Sequence, residues 1–100
     1  MDRIKVYKVV SGEEIIAEVF NVLGEVVVLK NPAVIVMQQT QKGVGVALAP
    51  FMPYAEEEKI TLSKSAIVAE TIPATTMVNE YGRIFGSGIQ IAPASTLAAA

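Results

Sequence analysis

The apolar positions of this chain fall into short runs with the period of a pleated strand, broken by turn residues, and change to a helical period only after Pro73. From Ile4 to Val10, Ile4, Val6 and Val10 share one face with Lys8, while Tyr7 and Val9 share the other with Lys5. Ser11-Gly12-Glu13-Glu14 is a turn signal, with Gly12 free to take a positive φ. From Glu14 to Phe20, Ile15, Ala17 and Val19 point one way, and Ile16, Glu18 and Phe20 the other. Asn21 to Gly24 turns the chain back, and such short spacings predict hairpins in an antiparallel meander.

Glu25 to Gln39 is a long β-type run interrupted by Lys30-Asn31-Pro32. Proline donates no ladder hydrogen bond, so Pro32 predicts a bend, a bulge or an edge position. A turn at Thr40-Gln41-Lys42-Gly43 leads into Val44 to Ala49, apolar throughout. A loop from Pro50 to Lys59 carries two prolines, Pro50 and Pro53, and the run Glu56-Glu57-Glu58. Ile60 to Leu62 and Ala66 to Ile72 are short strands around Ser63-Lys64-Ser65. Beyond Pro73, the residues Met77, Val78, Tyr81, Ile84 and Phe85 line one face of a helix. Thr75 and Thr76 are candidate N-caps, Gly86-Ser87-Gly88 a stop signal, and Gly82 an interior residue costing about 1 kcal/mol against alanine. The pattern predicts one domain over residues 1–88 and a loosely ordered tail over 89–100.

Ala33 to Met37 and Val44 to Ala49 do not alternate, so both faces of these strands favour burial. A 100-residue chain has little interior with which to cover both. Each exposed Val or Ile forgoes roughly 1.5–3 kcal/mol of burial. The expectation is therefore a homo-oligomer in which a neighbouring copy covers a second face or a strand edge. Val34, Val36, Val44 and Val46 are the candidate interface positions, joined by Phe51 and Tyr54 from the proline-flanked loop.

Composition narrows the chemistry. Val and Ile together number 24 against 5 Leu, which strengthens the β reading. There is no Cys and no His, which removes disulfides, thiolate nucleophiles, imidazole bases and the commonest zinc ligands. No carboxylate pair stands out as an acid/base couple, and Glu56-Glu57-Glu58 has the spacing of a charge run rather than a metal loop. The reading is of a protein that is not an enzyme and that uses neither metal nor cofactor. Net charge is −2, which does not suggest a strong sequence-independent phosphate binder. The opening residues lack an apolar signal core, and no apolar window of about 18 residues predicts a membrane span. A cytoplasmic protein without a membrane partner is expected.

The segment Val10-Ser11-Gly12-Glu13-Glu14-Ile15-Ile16-Ala17-Glu18-Val19 resembles the opening of the first Sm motif. Aligned on Gly12, the family's apolar position falls on Ile15, its small residue on Ala17 and its next apolar residue on Val19. Leu29-Lys30-Asn31-Pro32-Ala33 resembles the end of the family's third strand, and Ser63-Lys64-Ser65-Ala66-Ile67-Val68 sits where the second motif would fall. Over most of its length the chain is similar to the small Sm-like (LSm-type) proteins encoded by marine phages, including cyanophages. The similarity includes Asn31 to Gln38, Ala49 to Tyr54 and Ala69 to Pro73.

The resemblance implies a mainly β fold: a small, strongly bent, antiparallel five-stranded Sm-like barrel, here followed by a short C-terminal helix. It implies closure into a cyclic homo-oligomer of roughly five to seven copies by strand pairing between subunits. It also implies single-stranded RNA binding at the ring pore, in the host-cell cytoplasm if the protein is phage-encoded. Asn21, Gly24 and Lys64 are the candidate RNA-binding residues. The family's base-binding Asp and Asn fall here on Leu23 and Val27, its Arg-Gly is missing, and its helix is usually N-terminal. These departures leave an alternative, a protein-interaction or virion-accessory ring without nucleic-acid binding.

Overall fold

The computed structural model describes residues 3–86. Six strands form an antiparallel sheet: β1 (Ile4–Val9), β2 (Glu14–Leu23), β3 (Val26–Thr40), β4 (Gly43–Pro50), β5 (Lys59–Ser63) and β6 (Ile67–Thr71). A 3-10 turn, Lys64–Ala66, separates β5 from β6, and helix α1 (Thr75–Phe85) follows. The sheet order is β4-β3-β2-β1-β6, with β5 also on β3. Turns fall at Gly12, Gly24 and Gly43, all at positive φ, whereas Asn21 to Leu23, where the sequence pattern predicts a turn, extend β2 and pair with β3. The tail read over residues 89–100 lies outside the described residues, as do Ser87 and Gly88 of the stop signal.

Two expectations are corrected. The resemblance implies a strongly bent five-stranded barrel, whereas the sheet has six strands and is not closed into a barrel, since no pairing joins β5 or β4 to β6. The reason lies in β3, which is long enough to serve two partners along one edge. Val26 to Lys30 pair with β5, and Ala33 to Thr40 pair with β4. Asn31 and Pro32 stand at the change of partner, and Asn31 is the one non-glycine residue among those described with positive φ, at 52°. The second correction concerns the helix start. Ala74, not Thr75 or Thr76, is the N-cap, and it offers no side-chain bond. Its carbonyl instead accepts from the N–H groups of Met77 and Val78, at 2.9 and 3.0 Å. Buried Pro73 fixes the extended approach that places Ala74 there.

β2 shifts register between Ile16 and Glu18 and again between Val19 and Asn21. Such bulges bend a strand and strengthen its twist. The bent sheet buries side chains on both faces. On one, Ile4, Ile16, Ala33 and Tyr81 form a cluster with Val6, Ile35, Leu48, Met77 and Phe85, so α1 covers this face with Met77, Tyr81 and Phe85 of the helical stripe read from the sequence, while Ile84 of that stripe is exposed. On the other, Tyr7, Ala17, Val27 and Leu29 pack with Val19, Leu62 and Ile67. Consecutive residues Ile15, Ile16 and Ala17 are all fully buried, so β2 is enclosed on both sides.

Tyr81 ties the helix to the bend. Its hydroxyl accepts from the Glu18 N–H at 3.2 Å and lies 2.8 and 3.0 Å from the carbonyl oxygens of Lys30 and Asn31, to one of which it donates. Its ring sits 4.8 Å from that of Phe85. One side chain thus contacts the β2 bulge and the β3 partner change together. Burial holds the Tyr81 hydroxyl well above the ordinary tyrosine range, and the nearby carboxylates of Glu18 and Glu58 add to the effect against the backbone hydrogen bond.

Candidate nucleic-acid interface

Alternation along β1 sends Lys5 and Tyr7 to the face opposite the helix, and Arg3, just before the strand, lines the same side. Val19 and Val22 of β2 and Val27 of β3 reach the same side, and Lys64, Ile67 and Glu70 close it. Together they line a cleft of about 500 Å³. Its floor is apolar and its rim carries three cations against one carboxylate. Lys5 pairs with Glu70 at 3.1 Å. Arg3 donates to the Phe20 carbonyl at 2.9 Å, which orients its guanidinium along the end of β2. Burial, and then the Glu70 charge, raise the Tyr7 hydroxyl above its usual range.

The Lys64 turn is built locally. The Ser63 hydroxyl accepts from the Ser65 N–H at 3.3 Å, and the two serine hydroxyls lie 2.8 Å apart. The Lys64 N–H donates to the Glu25 carbonyl at 2.8 Å, which joins this turn to the β2–β3 turn containing Gly24. Four of the other lysines are engaged, Lys5, Lys8 and Lys30 with carboxylates and Lys59 over the Phe20 ring at 4.2 Å. Among the described residues, Lys42 and Lys64 have neither kind of partner.

Of the three candidate RNA-binding residues, the structure brings Lys64 and Gly24 to neighbouring turns. Asn21 and Gly24 do not line the cleft, and the Asn21 side-chain oxygen accepts from the Val22 N–H at 2.9 Å. The sequence reading missed Arg3 and Lys5. Their signal was the period-two spacing Arg3-Lys5-Tyr7, which puts two cations and a ring on one side of the first strand.

The candidate interface residues separate onto different surfaces. Register pairs Val34 with Ala49 and Val36 with Ala47, so these two valines share one face of the β3–β4 hairpin. Val44 and Val46 pair with Gln39 and Met37 and lie on the opposite face. β2 accompanies β3 only as far as Val34, so among the described residues the hairpin beyond it is paired within itself alone. Val36, Met37, Val44 and Val46 are all exposed there, and Met37 is a member absent from the candidate interface positions read from the sequence. Phe51 is half-buried, its N–H bonded to the Pro32 carbonyl at 3.0 Å, whereas Tyr54 is 97% exposed.

No cluster of three or more acidic side chains suited to a metal ion occurs among the described residues, and no helix is long and apolar enough to cross a membrane. Comparison with protein-family models and with curated proteins finds no match to this chain.

Proposed function

We propose that this protein is a non-catalytic, Sm-like assembly module that forms a cyclic homo-oligomer and holds single-stranded RNA at the rim where the Lys64 turns meet. The observation that carries the reading is the joint between the Lys64 turn and the β2–β3 turn, beside a cleft with Arg3 and Lys5 on its rim and an apolar floor. Cations beside an apolar surface suit a backbone phosphate with an unstacked base. One lysine per subunit is a weak attraction, and repetition around a ring multiplies it. Ring closure has edges available to it, because among the described residues β5 pairs only with β3 and β6 only with β1. In this proposal the open edge of β5 in one copy pairs with that of β6 in the next.

The test is fluorescence anisotropy of labelled A-rich and U-rich oligoribonucleotides at about 50 and 150 mM salt. Saturable binding that weakens with salt is expected, with Lys64→Ala lowering the salt slope by about 1 for each phosphate that the lysine neutralises. Absence of saturable binding at both salts overturns the RNA reading and leaves the ring standing.

A second reading, a protein-interaction or virion-accessory ring without nucleic acid, draws on the exposed apolar hairpin and on Glu70 within the cleft. Protein purified from cells with a 260/280 absorbance ratio free of nucleic acid favours this second reading.

A further inference from the structure

We infer that the outer edge of β4 is a second self-association surface, distinct from the β5 and β6 edges, on which another copy of this chain pairs antiparallel about a two-fold axis. Edge strands of natural sheets are usually blunted by charge, proline or a bulge, because an unpaired ladder invites another strand. From Gly43 to Ala49, β4 has none of these. Gly43-Val44-Gly45-Val46-Ala47-Leu48-Ala49 is uncharged, and Pro50 stands only at its end. Its ladder with β3 runs residue for residue from Thr40–Gly43 to Ala33–Pro50 without a register shift. The other open edges are different: β5 carries Lys59, and β6 carries Glu70 and a shifted register against β1.

Charge selects the second copy as the occupant, and antiparallel as the direction. Lys42, one of the two lysines without an ion-pair or aromatic partner among the described residues, stands immediately before β4. Beyond the other end of β4, the exposed loop carries Glu56 and Glu57, neither of which makes an ion pair among the described residues. An eight-residue strand separates the two ends by about 26 Å, too far for a contact within one chain. A two-fold axis through the middle of β4 reverses one copy against the other. It brings each Lys42 toward the acidic loop of the other copy, twice per pair. The same operation sets the Val44–Val46 rows of the two copies side by side on one face of a continuous sheet. The glycines and alanines of β4 leave room for close approach.

The experiment is native mass spectrometry of the full chain at micromolar concentration, with thermal melting as a control for folding. The β4 pairing predicts an even number of chains, and Val46→Lys, which sets like charges near the axis at a 48% exposed position, halves the mass. Lys42→Glu alone, or Glu56→Lys with Glu57→Lys alone, weakens the pairing about three- to thirty-fold, and the three substitutions together restore it. An unchanged mass in Val46→Lys, or failure of the combined charge reversal to restore pairing, overturns the inference. A wild-type dimer that Val46→Lys converts to single chains supports it while removing the ring. An odd-numbered ring insensitive to Val46→Lys removes it while keeping the ring.

Discussion

Replacing Tyr81 by Phe removes one oxygen and keeps the ring. That oxygen serves the Glu18 N–H and one of the two carbonyls of Lys30 and Asn31, all at the bend where β2 bulges and β3 changes partner. A buried polar group left without its partner costs about 1–3 kcal/mol. Here a cleft of about 370 Å³, lined by Tyr81, Glu18, Lys30 and Asn31, lets water reach the orphaned groups. The cost therefore falls in the lower half of the range, about 1.5 kcal/mol. For a domain of this size that lowers Tm by roughly 6–12 °C. Urea unfolding followed by circular dichroism, at one protein concentration for both proteins, measures it directly. The ring contact with Phe85 is preserved, so the loss reports on the hydroxyl alone. Tyr81→Leu, which also removes the ring, should cost distinctly more. A Tyr81→Phe loss below about 0.5 kcal/mol, with unchanged m-value, refutes the claim that this hydroxyl holds the bend.

Three further outcomes follow from the same structure. Gly82 lies within α1 with open space where a Cβ would stand, so Gly82→Ala should stabilise by about 0.5–1 kcal/mol in the same unfolding assay. Asn31 sits at φ 52°, so Asn31→Gly should be close to neutral, whereas Asn31→Ala should lose about 1–2 kcal/mol; equal effects would contradict the left-handed assignment. Tyr81 and Tyr7 both hold their protons more tightly folded than unfolded, so their contribution is complete below pH 10 and declines as pH rises beyond it. Each tyrosine contributes a slope of up to about 1.4 kcal/mol per pH unit, and Tyr81→Phe should flatten the alkaline limb of stability measured against pH.

The strands were legible because Val and Ile cluster between glycine-bearing turns, and the pattern itself contains six runs. The helix face was legible from Met77, Tyr81 and Phe85, all of which pack on the sheet. Closure was not legible, because it depends on whether β3 keeps one partner or divides itself between two, a long-range choice that no local period records. The role of the Tyr81 hydroxyl was hidden for a related reason, since its partners lie 50 and more positions away in the chain. At the candidate interface, Lys64 was visible as a lone cation between serines. Arg3 and Lys5 were visible only as ordinary strand charges until the fold set them beside it. The non-alternating hairpin was read as greasy on both sides, and register adds how its valines divide: Val34 and Val36 on one face, Val44 and Val46 on the other.

The enclosure of β2 on both sides has a consequence for how the chain comes apart. Ile16 belongs to the layer under the helix and Ala17 to the layer opposite, yet they are neighbours on one backbone. Neither layer can loosen without displacing the strand that anchors the other. The two layers therefore melt as a single cooperative unit, and the central amides of β2 exchange with solvent only when the whole sheet opens.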